Sequence, residues 1–575
     1  MTTNETGSPG WTRPLGSARG DDGLIAAVPM AARWRQTGAQ QAAIATTGST
    51  LNDVKAFGAL GDGATDDRAA IQAAIDDARD TGKAGIFFPG ATYRVSRATQ
   101  PGGRFSLDLR DVHDFTVAGE GPGSVVKLVD TTERTGDWHV FILQGQARRV
   151  VFTDLVIDGN RTGLTEPDEQ SHGIEVEPGT EDLVITRCIL RDCFGDGVRL
   201  LGSPDANVRR VRIDDCLFHA NKRSGLGVQR ALEQVVVIGC LFEATVTDQS
   251  IDFEPSGTDG PTEITIEGCT IRHTNRSAAV TLTGIRGSDP AVRIKFSNNL
   301  VTGGPVFCVD VAELTVQNNT IVVPADLTGN RIPLQVQRGG DSLVLSGNLL
   351  INRSVETRAA LTLSEVNQRQ VSRALVSGNL CRTVAGSGIQ LFSSDDVAVE
   401  GNMLVAEGPC AAGVVVRSEA SDVDRVAVRD NDVTINGTGR WTVGVQVAAS
   451  DPHKVGDVSI VGNTVHGAET GVRFAGGGFV RTPVCSLNQL GPDVTTPLDG
   501  LPVLPEDALV VGGAVSGGGG ALATGGGRML SGLGTPTDRV AGYAGDMFQR
   551  LDSAAGPRLF VKESGDGTTD GWVAK

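Results

Sequence analysis

Apolar and polar residues alternate along most of the chain in short units of similar pattern. The clearest stretch, from Val211 to Pro255, reads VRIDDCLF, HANKRSGLGVQR, VVVIGCLF and EATVTDQSIDFEP. Each unit has an alternating segment that ends in Cys or Asn plus two apolar residues, then a turn and a second alternating segment. Alternation with period 2 is typical of β-strands, and a repeat of 20–32 residues is typical of a solenoid. The pattern predicts an all-β parallel solenoid of about 12 rungs, whose stacking buries one continuous apolar column.

One position of the repeat is Cys in the first of these rungs and Asn in the later ones. Neighbouring rungs lie about 4.8 Å apart, so stacked side-chain amides can hydrogen-bond along the column. The Cys residues would be small buried side chains at the same position. Zinc or disulfide chemistry fits poorly, because Cys-x-x-Cys is absent and these Cys are 24–29 residues apart. The column consists of Cys188, Cys216, Cys240, Cys269, Asn299, Asn319, Asn348, Asn379, Asn402, Asn431, Asn463 and Asn488.

The segment 53–96 has a different pattern, and it predicts a strand, a helix, and then a strand, turn and strand. Thr65 or Asp66 is expected to cap the helix at residues 66–82, and Gly82 to end it. One helical face carries the apolar residues Ala70, Ile71, Ala74, Ile75 and Ala78.

This segment, which includes GDGATDDRAAIQAAIDDA and GIFFPGATYRV, closely resembles the start of the pectate-lyase-like superfamily. That superfamily of right-handed parallel β-helices includes phage tailspikes and alginate epimerases. The resemblance implies a right-handed single-stranded parallel β-helix whose N-terminal end is covered by the helix, since an open apolar edge would aggregate. The motif is specific for the fold and not for a reaction.

The last residues, which include GDMFQRLD and VKESGDGTTDGWVAK, resemble a terminal module of phage tail-fibre and tailspike proteins. The resemblance implies a homotrimer in a virion tail or phage-derived particle, attached to other tail components through the N-terminal arm. The domain boundaries that we predict are 1–50 for an N-terminal arm or adaptor, 51–490 for the β-helix, 491–530 for a Gly-rich linker and 531–575 for a small β C-terminal module.

The net charge, the N-terminal residues and the cysteines indicate which partners and which cellular location to expect. A net charge of −17 argues against nucleic acid, for which a basic stripe is expected. We expect no signal peptide, because the N-terminus lacks a basic region followed by an apolar one. We expect no membrane span, because no apolar run is long enough. Nine cysteines without framework spacing indicate folding in the reducing cytoplasm of a host cell.

Candidate chemistry lies on the second segment of four successive rungs. Alternation places Ile174 and Val176, and their equivalents in the next rungs, inward. Gly227 is expected to leave a notch for a ligand between the rungs of Arg199 and Asp252. The outward and bordering polar residues, which we predict to bind a glycan, are Glu175, Glu177, Arg199, Lys222, Arg223, Gln229, His172 and Asp196.

Asp252 and Glu254 are the predicted catalytic residues. Two residues apart on one strand, their Cα atoms are about 6.6 Å apart, which is compatible with paired-carboxylate hydrolysis of a glycoside. Asp252 would be the base or nucleophile and Glu254 the acid, or the reverse. The segment NKRSGLGVQR…DQSIDFEP also resembles rungs of phage-associated β-helix proteins whose reaction varies. The alternative is that these residues are solvated charges on the outer face.

The sequence therefore predicts a tailspike-like depolymerase that binds and hydrolyses a bacterial surface polysaccharide, without cofactor or resident metal. A polysaccharide lyase is the nearest alternative, in which Arg199, Lys222, Arg223 and His219, or Ca²⁺ held by the acids, would neutralise a uronate. A mechanism based on Tyr is disfavoured, because the chain has only two Tyr. A non-catalytic fibre or decoration protein that only binds glycan is the other class of function.

Overall fold

The computed structural model describes residues 51–98, 103–131, 134–255, 262–275, 277–284, 292–327, 331–338, 342–364 and 370–502, together with short strands beyond residue 510. The predicted N-terminal arm, residues 1–50, lies outside the described residues, as does part of the predicted linker.

Three long parallel sheets run the length of the molecule, and the chain passes from one to the next in every turn. Sheet 1 has 17 strands, namely Asn52–Asp53, Gly85–Phe88, His113–Gly119, Arg148–Thr153, Glu181–Thr186, Val208–Asp214, Leu232–Ile238, Glu263–Glu267, Arg293–Ser297, Glu313–Gln317, Ser342–Ser346, Ser372–Ser377, Asp395–Glu400, Val426–Arg429, Val458–Val461, Val484–Ser486 and Val511–Gly512. Sheet 2 has 16 strands, namely Asp62–Asp66, Ala91–Val95, Ser124–Leu128, Val156–Asp158, Ile189–Arg191, Leu217–His219, Leu241–Glu243, Thr270–Arg272, Leu300–Thr302, Thr320–Val323, Leu349–Asn352, Leu380–Thr383, Met403–Ala406, Asp432–Ile435, Thr464–Val465 and Gln489–Leu490.

Sheet 3 carries the predicted site. Its 15 strands are Phe105–Arg110, His139–Gln144, Ile174–Val176, Val198–Leu201, Leu226–Gln229, Ile251–Phe253, Val280–Thr283, Val306–Val309, Leu334–Gln337, Ala359–Ser364, Ser387–Phe392, Pro409–Ser418, Arg440–Ala449, Ala468–Ala475 and Thr496–Asp499. The last of these strands lies beyond the predicted end of the β-helix at residue 490.

The fold is the predicted all-β parallel β-helix, but the predicted number of rungs was too low. The molecule has about 14 turns rather than about 12, because the turns before Cys188 have neither Cys nor Asn at the repeat position. Each turn also has three strands. The Cys or Asn lies at the corner between sheet 1 and sheet 2, and so divides the first alternating segment into two strands.

Inward side chains of all three sheets form one apolar cluster that extends from Val54 to Cys485. The alternation predicted for the site rungs is confirmed, since Ile174, Val176, Ile251 and Phe253 are buried in this cluster. All nine cysteines are buried free thiols.

The Asn column forms the predicted ladder at the corner between sheets 1 and 2. From Asn299 to Asn488, each side-chain amide donates to the Oδ1 of the next Asn at 2.9–3.0 Å. The same Oδ1 accepts the backbone N–H of the preceding Asn. The second amide hydrogen goes to a backbone carbonyl of the preceding turn. The buried corner is therefore fully hydrogen-bonded.

Helix α1, Arg68–Thr81, packs its apolar side against the first strands. Ile71, Ala74, Ile75 and Ala78 are buried, and Gly82 ends the helix with a φ of 70°. The N-cap position belongs to Asp67 and not to Thr65 or Asp66, although the predicted Asp66 does accept the N–H of Arg68, the first helical residue, at 3.2 Å. The Asp67 carboxylate accepts the N–H groups of Leu60 and Gly61 instead of capping α1, and so holds the preceding turn against the helix.

The remaining elements are short. Two 3₁₀ helices, Val54–Phe57 and Arg161–Gly163, and a two-stranded sheet, Arg134–Gly136 with Thr165–Pro167, lie between the main strands. A five-stranded sheet near the C-terminus contains Ala521–Thr524, Gly527–Gly532, Met547–Arg550, Leu559–Lys562 and Trp572–Ala574. Its first two strands begin within the predicted linker. In the part of the chain that the structure describes, no helix has the length and apolar character needed to cross a membrane.

Candidate functional site

The polar residues predicted for the site lie on consecutive strands of sheet 3, in register. Glu175 pairs with Arg199, Arg199 with Gly227, and Gly227 with Asp252. In parallel strands, paired residues point to the same face, so this column covers the outside of the sheet. The structure thus brings the predicted residues of four rungs together on one surface, although it does not test their roles.

The first part of this column is not solvated. Glu175 has no exposed surface, and its Oε1 accepts from Nη1 of Arg199 at 3.1 Å. Arg199 also donates to Gln229 at 2.6 Å, and the amide of Gln229 donates to Glu254 at 3.2 Å. Burial raises the pKa of Glu175 to about 8, which outweighs the opposing attraction of Arg199. Glu175 is therefore placed to hold Arg199 rather than to contact a glycan.

Asp196 fills the space that Gly227 leaves. A Cβ at Gly227 would collide with the Asp196 carboxylate, so the predicted ligand notch is wrong. The side chain of Asp196 is buried and lies 3.9 Å from Nε of Arg223. Burial raises the pKa of Asp196 to about 7, against the attraction of Arg223 and Arg199. The sequence correctly indicated that Gly227 leaves space for another group. That group is the carboxylate of Asp196 and not a ligand.

The two buried histidines are neutral and carry their proton on Nε2. Nδ1 of His172 accepts the backbone N–H of Asp196 at 2.8 Å, and Nδ1 of His139 accepts that of His172 at 3.2 Å. Each Nδ1 must therefore present a lone pair, which leaves the proton on Nε2. Burial lowers the pKa of His139 to about 3 and that of His172 well below its usual value.

This tautomer does not fit a metal site. Within the described residues, His139, His172 and Glu175 have the spacing of metal ligands, with ligand atoms within 4.8 Å of one another. A metal would need the Nε2 lone pairs, whereas both atoms carry hydrogen. Nε2 of His172 lies 3.8 Å from Oε2 of Glu175, which is too far for a hydrogen bond, and neither atom has a hydrogen-bond partner among the described residues.

Asp252 lies in the strand Ile251–Phe253 and Glu254 follows directly after it, but the two carboxyl groups have different environments. Asp252 is 5% exposed, and burial together with the nearby carboxylates of Glu254 and Asp196 raises its pKa to about 8. Glu254 is half exposed and accepts hydrogen bonds from Nη2 of Arg223 and from Gln229. One carboxyl group therefore retains a proton near neutral pH, while the other is held by a guanidinium group.

Other predicted residues border this surface or lie away from it. Glu177 pairs with Arg104, a residue that the sequence analysis missed because it belongs to an earlier turn. Lys222 lies over the ring of Phe194, 3.6 Å from its centroid. His219 is on sheet 2, 3.2 Å from Glu243, so its proposed role beside Arg199 in a lyase was wrong.

Sequence reasoning placed the candidate chemistry on four rungs and did not single out the polar residues on the later rungs of sheet 3. The same register continues from Asp252 through Thr281 and Phe307 to Gln335, Thr362 and Gln390. Aligning the second segments beyond residue 282 would have revealed these polar positions. Gln335, Thr362 and Gln390 line a cavity of about 300 Å³.

Two family profiles match parts of the chain. One, described as rhamnogalacturonase A/epimerase, pectate lyase-like, matches residues 51–108, and the other, described as right-handed beta helix region, matches residues 139–321. The chain is a pectate-lyase-like right-handed β-helix. The matches cover helix α1, the first turns and the rungs that carry the candidate site.

The β-helix is also similar to characterised proteins over about a third of its length. Mannuronan C5-epimerase AlgE4 of Azotobacter vinelandii is 35% identical over 188 residues, which cover 32% of this chain and 33% of that protein. Alginate lyase 7 of the same organism is 29% identical over 197 residues, which cover 34% of this chain and 22% of that protein. The chain thus spans a third or less of the length of these relatives.

Among solved structures, the β-helix is similar to tailspike protein 3 of bacteriophage CBA120. The two are 14% identical, with a TM-score of 0.34, over 92% of this chain and 70% of that chain.

Proposed function

We propose that this β-helix is a polysaccharide depolymerase that binds a bacterial surface glycan along the outer face of sheet 3 and hydrolyses it at Asp252 and Glu254. The observation that carries the proposal is the contrast between these two carboxyl groups. Asp252 is buried with a pKa raised to about 8, and Glu254 is exposed and paired with Arg223. Two carboxyl groups with opposite environments are suited to an acid and a base.

In the proposed reaction, Asp252 is the general acid and Glu254 the base or nucleophile. Asp252 protonates the glycosidic oxygen of the leaving sugar, while the Glu254 carboxylate activates water or attacks the anomeric carbon. Arg223 and Gln229 orient Glu254 through their hydrogen bonds. Of the two role assignments that the sequence leaves open, the environments favour this one.

The second candidate is proton abstraction at C5 of a uronate, as in a lyase or an epimerase. Similarity to a mannuronan C5-epimerase and an alginate lyase supports it. In this reaction Arg199 and Arg223, whose side chains are 13% and 11% exposed, would neutralise the sugar carboxylate.

We also propose that the protein works as a homotrimer in a phage tail or phage-derived particle. The resemblance of the C-terminal residues to phage tail modules supports this, and the N-terminal arm would join other tail components. A non-catalytic glycan-binding fibre is then the alternative to the enzyme.

The test is to incubate the protein with bacterial surface polysaccharides and with mannuronan, and to measure reducing ends, absorbance near 235 nm and the C5 configuration by NMR. Asp252→Asn and Glu254→Gln are each expected to lower the rate of release of reducing ends at least 100-fold. Glu263→Gln, on the outer face of sheet 1, is the matched control and should leave the rate unchanged.

The outcomes separate the candidates. If the wild type releases reducing ends without a rise in absorbance near 235 nm, and both variants lose this release, the reaction is hydrolysis. Absorbance identifies a lyase, and a changed C5 configuration without new ends identifies an epimerase. Since Asp252 must be protonated to act as the acid, hydrolysis should decline as pH rises through about 8. A rate that rises through that pH would contradict the assigned acid.

A further inference from the structure

Four of the nine cysteines form a column at the corner between sheets 1 and 2. The residues that follow Cys188, Cys216, Cys240 and Cys269 pair in register on consecutive strands of sheet 2. Neighbouring turns lie about 4.8 Å apart, which is within the Cα separation of disulfides, about 4.4–6.8 Å. Their distance in sequence argues against disulfide chemistry, but the stacking of the turns makes these cysteines neighbours in space.

The turns of Cys216 and Cys240 are closely aligned. Two residues after each cysteine, the rings of Phe218 and Phe242 are stacked with centroids 4.5 Å apart and planes within 1° of parallel. Sγ of Cys240 also contacts the carbonyl of Ile213, in the turn of Cys216, at 3.7 Å. The aligned turns therefore place the two thiols side by side.

The thiols of this column differ in acidity. Burial opposes ionisation of Cys240, but hydrogen bonds from the thiols of Cys216 and Cys269 and from the backbone N–H of Cys216 outweigh it and hold the pKa of Cys240 below its usual value. Burial and the neighbouring thiols raise the pKa of Cys216 well above its usual value. A thiolate thus lies beside a protonated thiol, as in a reactive cysteine with its resolving partner.

We propose that Cys240 and Cys216 are a peroxide-sensitive pair that closes to a disulfide. The sulfur of Cys240 attacks one oxygen of hydrogen peroxide, the O–O bond breaks and hydroxide leaves, so that Cys240 becomes a sulfenic acid. The sulfur of Cys216 then attacks the Cys240 sulfur, the S–O bond breaks, and water leaves with the Cys216 proton. Peroxide takes up the two electrons that the sulfur atoms lose.

The oxidant must be small, because Cys216 and Cys240 are 0% and 1% exposed. Hydrogen peroxide is close to water in size, and it reaches the column when the corner opens locally. The disulfide would join two turns of the candidate site, because the strand Leu226–Gln229 follows Cys216 and the strand Ile251–Phe253 follows Cys240. It would stabilise these turns against unfolding, whether or not the proposed hydrolysis takes place.

Mass spectrometry of the full chain after treatment with hydrogen peroxide tests this pair. The peroxide is removed with catalase, and the chain is then unfolded with dimedone, which labels sulfenic acids, and a maleimide, which labels free thiols. The wild type is expected to lose two of its nine thiols and to yield a peptide that links Cys216 to Cys240. Digestion at Lys, Arg and Glu cleaves at Glu243 and Glu267, and so separates Cys240 from Cys269.

Two variants assign the roles of the pair. Cys216→Ala should leave the sulfenic acid of Cys240 unresolved, so that dimedone labels Cys240. Cys240→Ala should lower the rate of thiol loss about tenfold. Cys381→Ala is the matched control and should react like the wild type, because burial raises the pKa of Cys381 to about 12 and its neighbours in register are Leu350 and Leu404 rather than cysteines.

Retention of all nine thiols in the wild type would overturn the pair, as would a link between two other cysteines. Oxidation of Cys381 as fast as Cys240 would also overturn it, because that result would show general opening of the β-helix. Failure of dimedone to label Cys240 in Cys216→Ala would contradict Cys240 as the attacking thiol.

Discussion

At the residue scale, buried polar groups of this β-helix are held in two different ways. The Asn ladder repeats one residue, whose amide has as many donors and acceptors as its corner requires. The site on sheet 3 instead combines unlike residues, in which burial raises the pKa of the Glu175 carboxyl group and lowers the pKa of His172. A ladder of identical groups stabilises the fold, whereas a cluster with raised carboxyl pKa values is suited to chemistry.

Asn379→Ala tests the contribution of the ladder. Removing this side chain leaves the backbone N–H and the amide of Asn348 without a buried partner. The free energy of unfolding should fall by about 3 kcal/mol, because each unpaired buried donor costs about 1–3 kcal/mol. Chemical unfolding followed by circular dichroism measures it. Asn436→Ala, at an exposed turn, is the control, and an equal loss in both variants would contradict the ladder's role.

Glu175→Gln tests the buried carboxyl group. The pKa of Glu175 is about 8 in the folded chain and about 4.5 when it is exposed, so the native state keeps a proton that the unfolded state loses. Stability from this group is full below pH 4.5 and declines up to pH 8. The melting temperature of Glu175→Gln relative to the wild type should therefore rise over this range. Glu263→Gln should not show this rise, and a constant difference for Glu175→Gln would refute the raised pKa.

At the element scale, helix α1 covers the first turn of the β-helix. Its buried side chains Ile71, Ala74, Ile75 and Ala78 join the same apolar cluster as the inward residues of the strands. Without α1, the first turn would present an apolar end and unpaired strand edges.

Ile75→Asp is expected to detach helix α1 and to cause aggregation, because a buried charge without a partner cannot remain in the apolar cluster. Light scattering during expression and heating measures this. Ala73→Asp places the same charge on the exposed side of the same helix and should leave the protein monodisperse at the wild-type melting temperature. Equal aggregation of both variants would show that the lower helix propensity of Asp causes the aggregation, and not the loss of the helix from the apolar end of the β-helix.

At the scale of the whole molecule, sheet 3 is a continuous surface on which successive strands share one register. Asp252 and Gln390 are on the same column of residues in register, five strands apart. A surface of this length suits a polymer better than a small molecule. Only the stacking of turns creates it, since residues in contact are 24–31 positions apart in sequence.

The proposed trimer is tested by light scattering coupled to size-exclusion chromatography. Full-length protein should have three times the chain mass of 59.8 kDa. A chain that ends at residue 512 lacks the whole C-terminal five-stranded sheet, including the residues whose resemblance supports the trimer, and should have the mass of a monomer. A monomeric full-length protein would refute the trimer without affecting the proposed chemistry.

The sequence by itself determined the β-helix, its capping helix, the inward residues and the Asn ladder. These follow from local alternation and from a repeat whose buried position accepts only a few residue types. The sequence also identified most members of the cluster on sheet 3, because polar residues at equivalent positions of successive rungs must become neighbours. It missed the first rungs, which lack the Cys or Asn that marks the repeat.

Only the tertiary structure decided how those residues act on one another. Glu175 and Asp196 were expected on or beside the outer face, where a glycan could reach them, and both are buried. The tautomers of His139 and His172 depend on backbone N–H groups of the following turns, which no local pattern reveals. Burial and the neighbouring carboxylates raise the pKa of Asp252. Both the burial and these neighbours arise only when the turns stack.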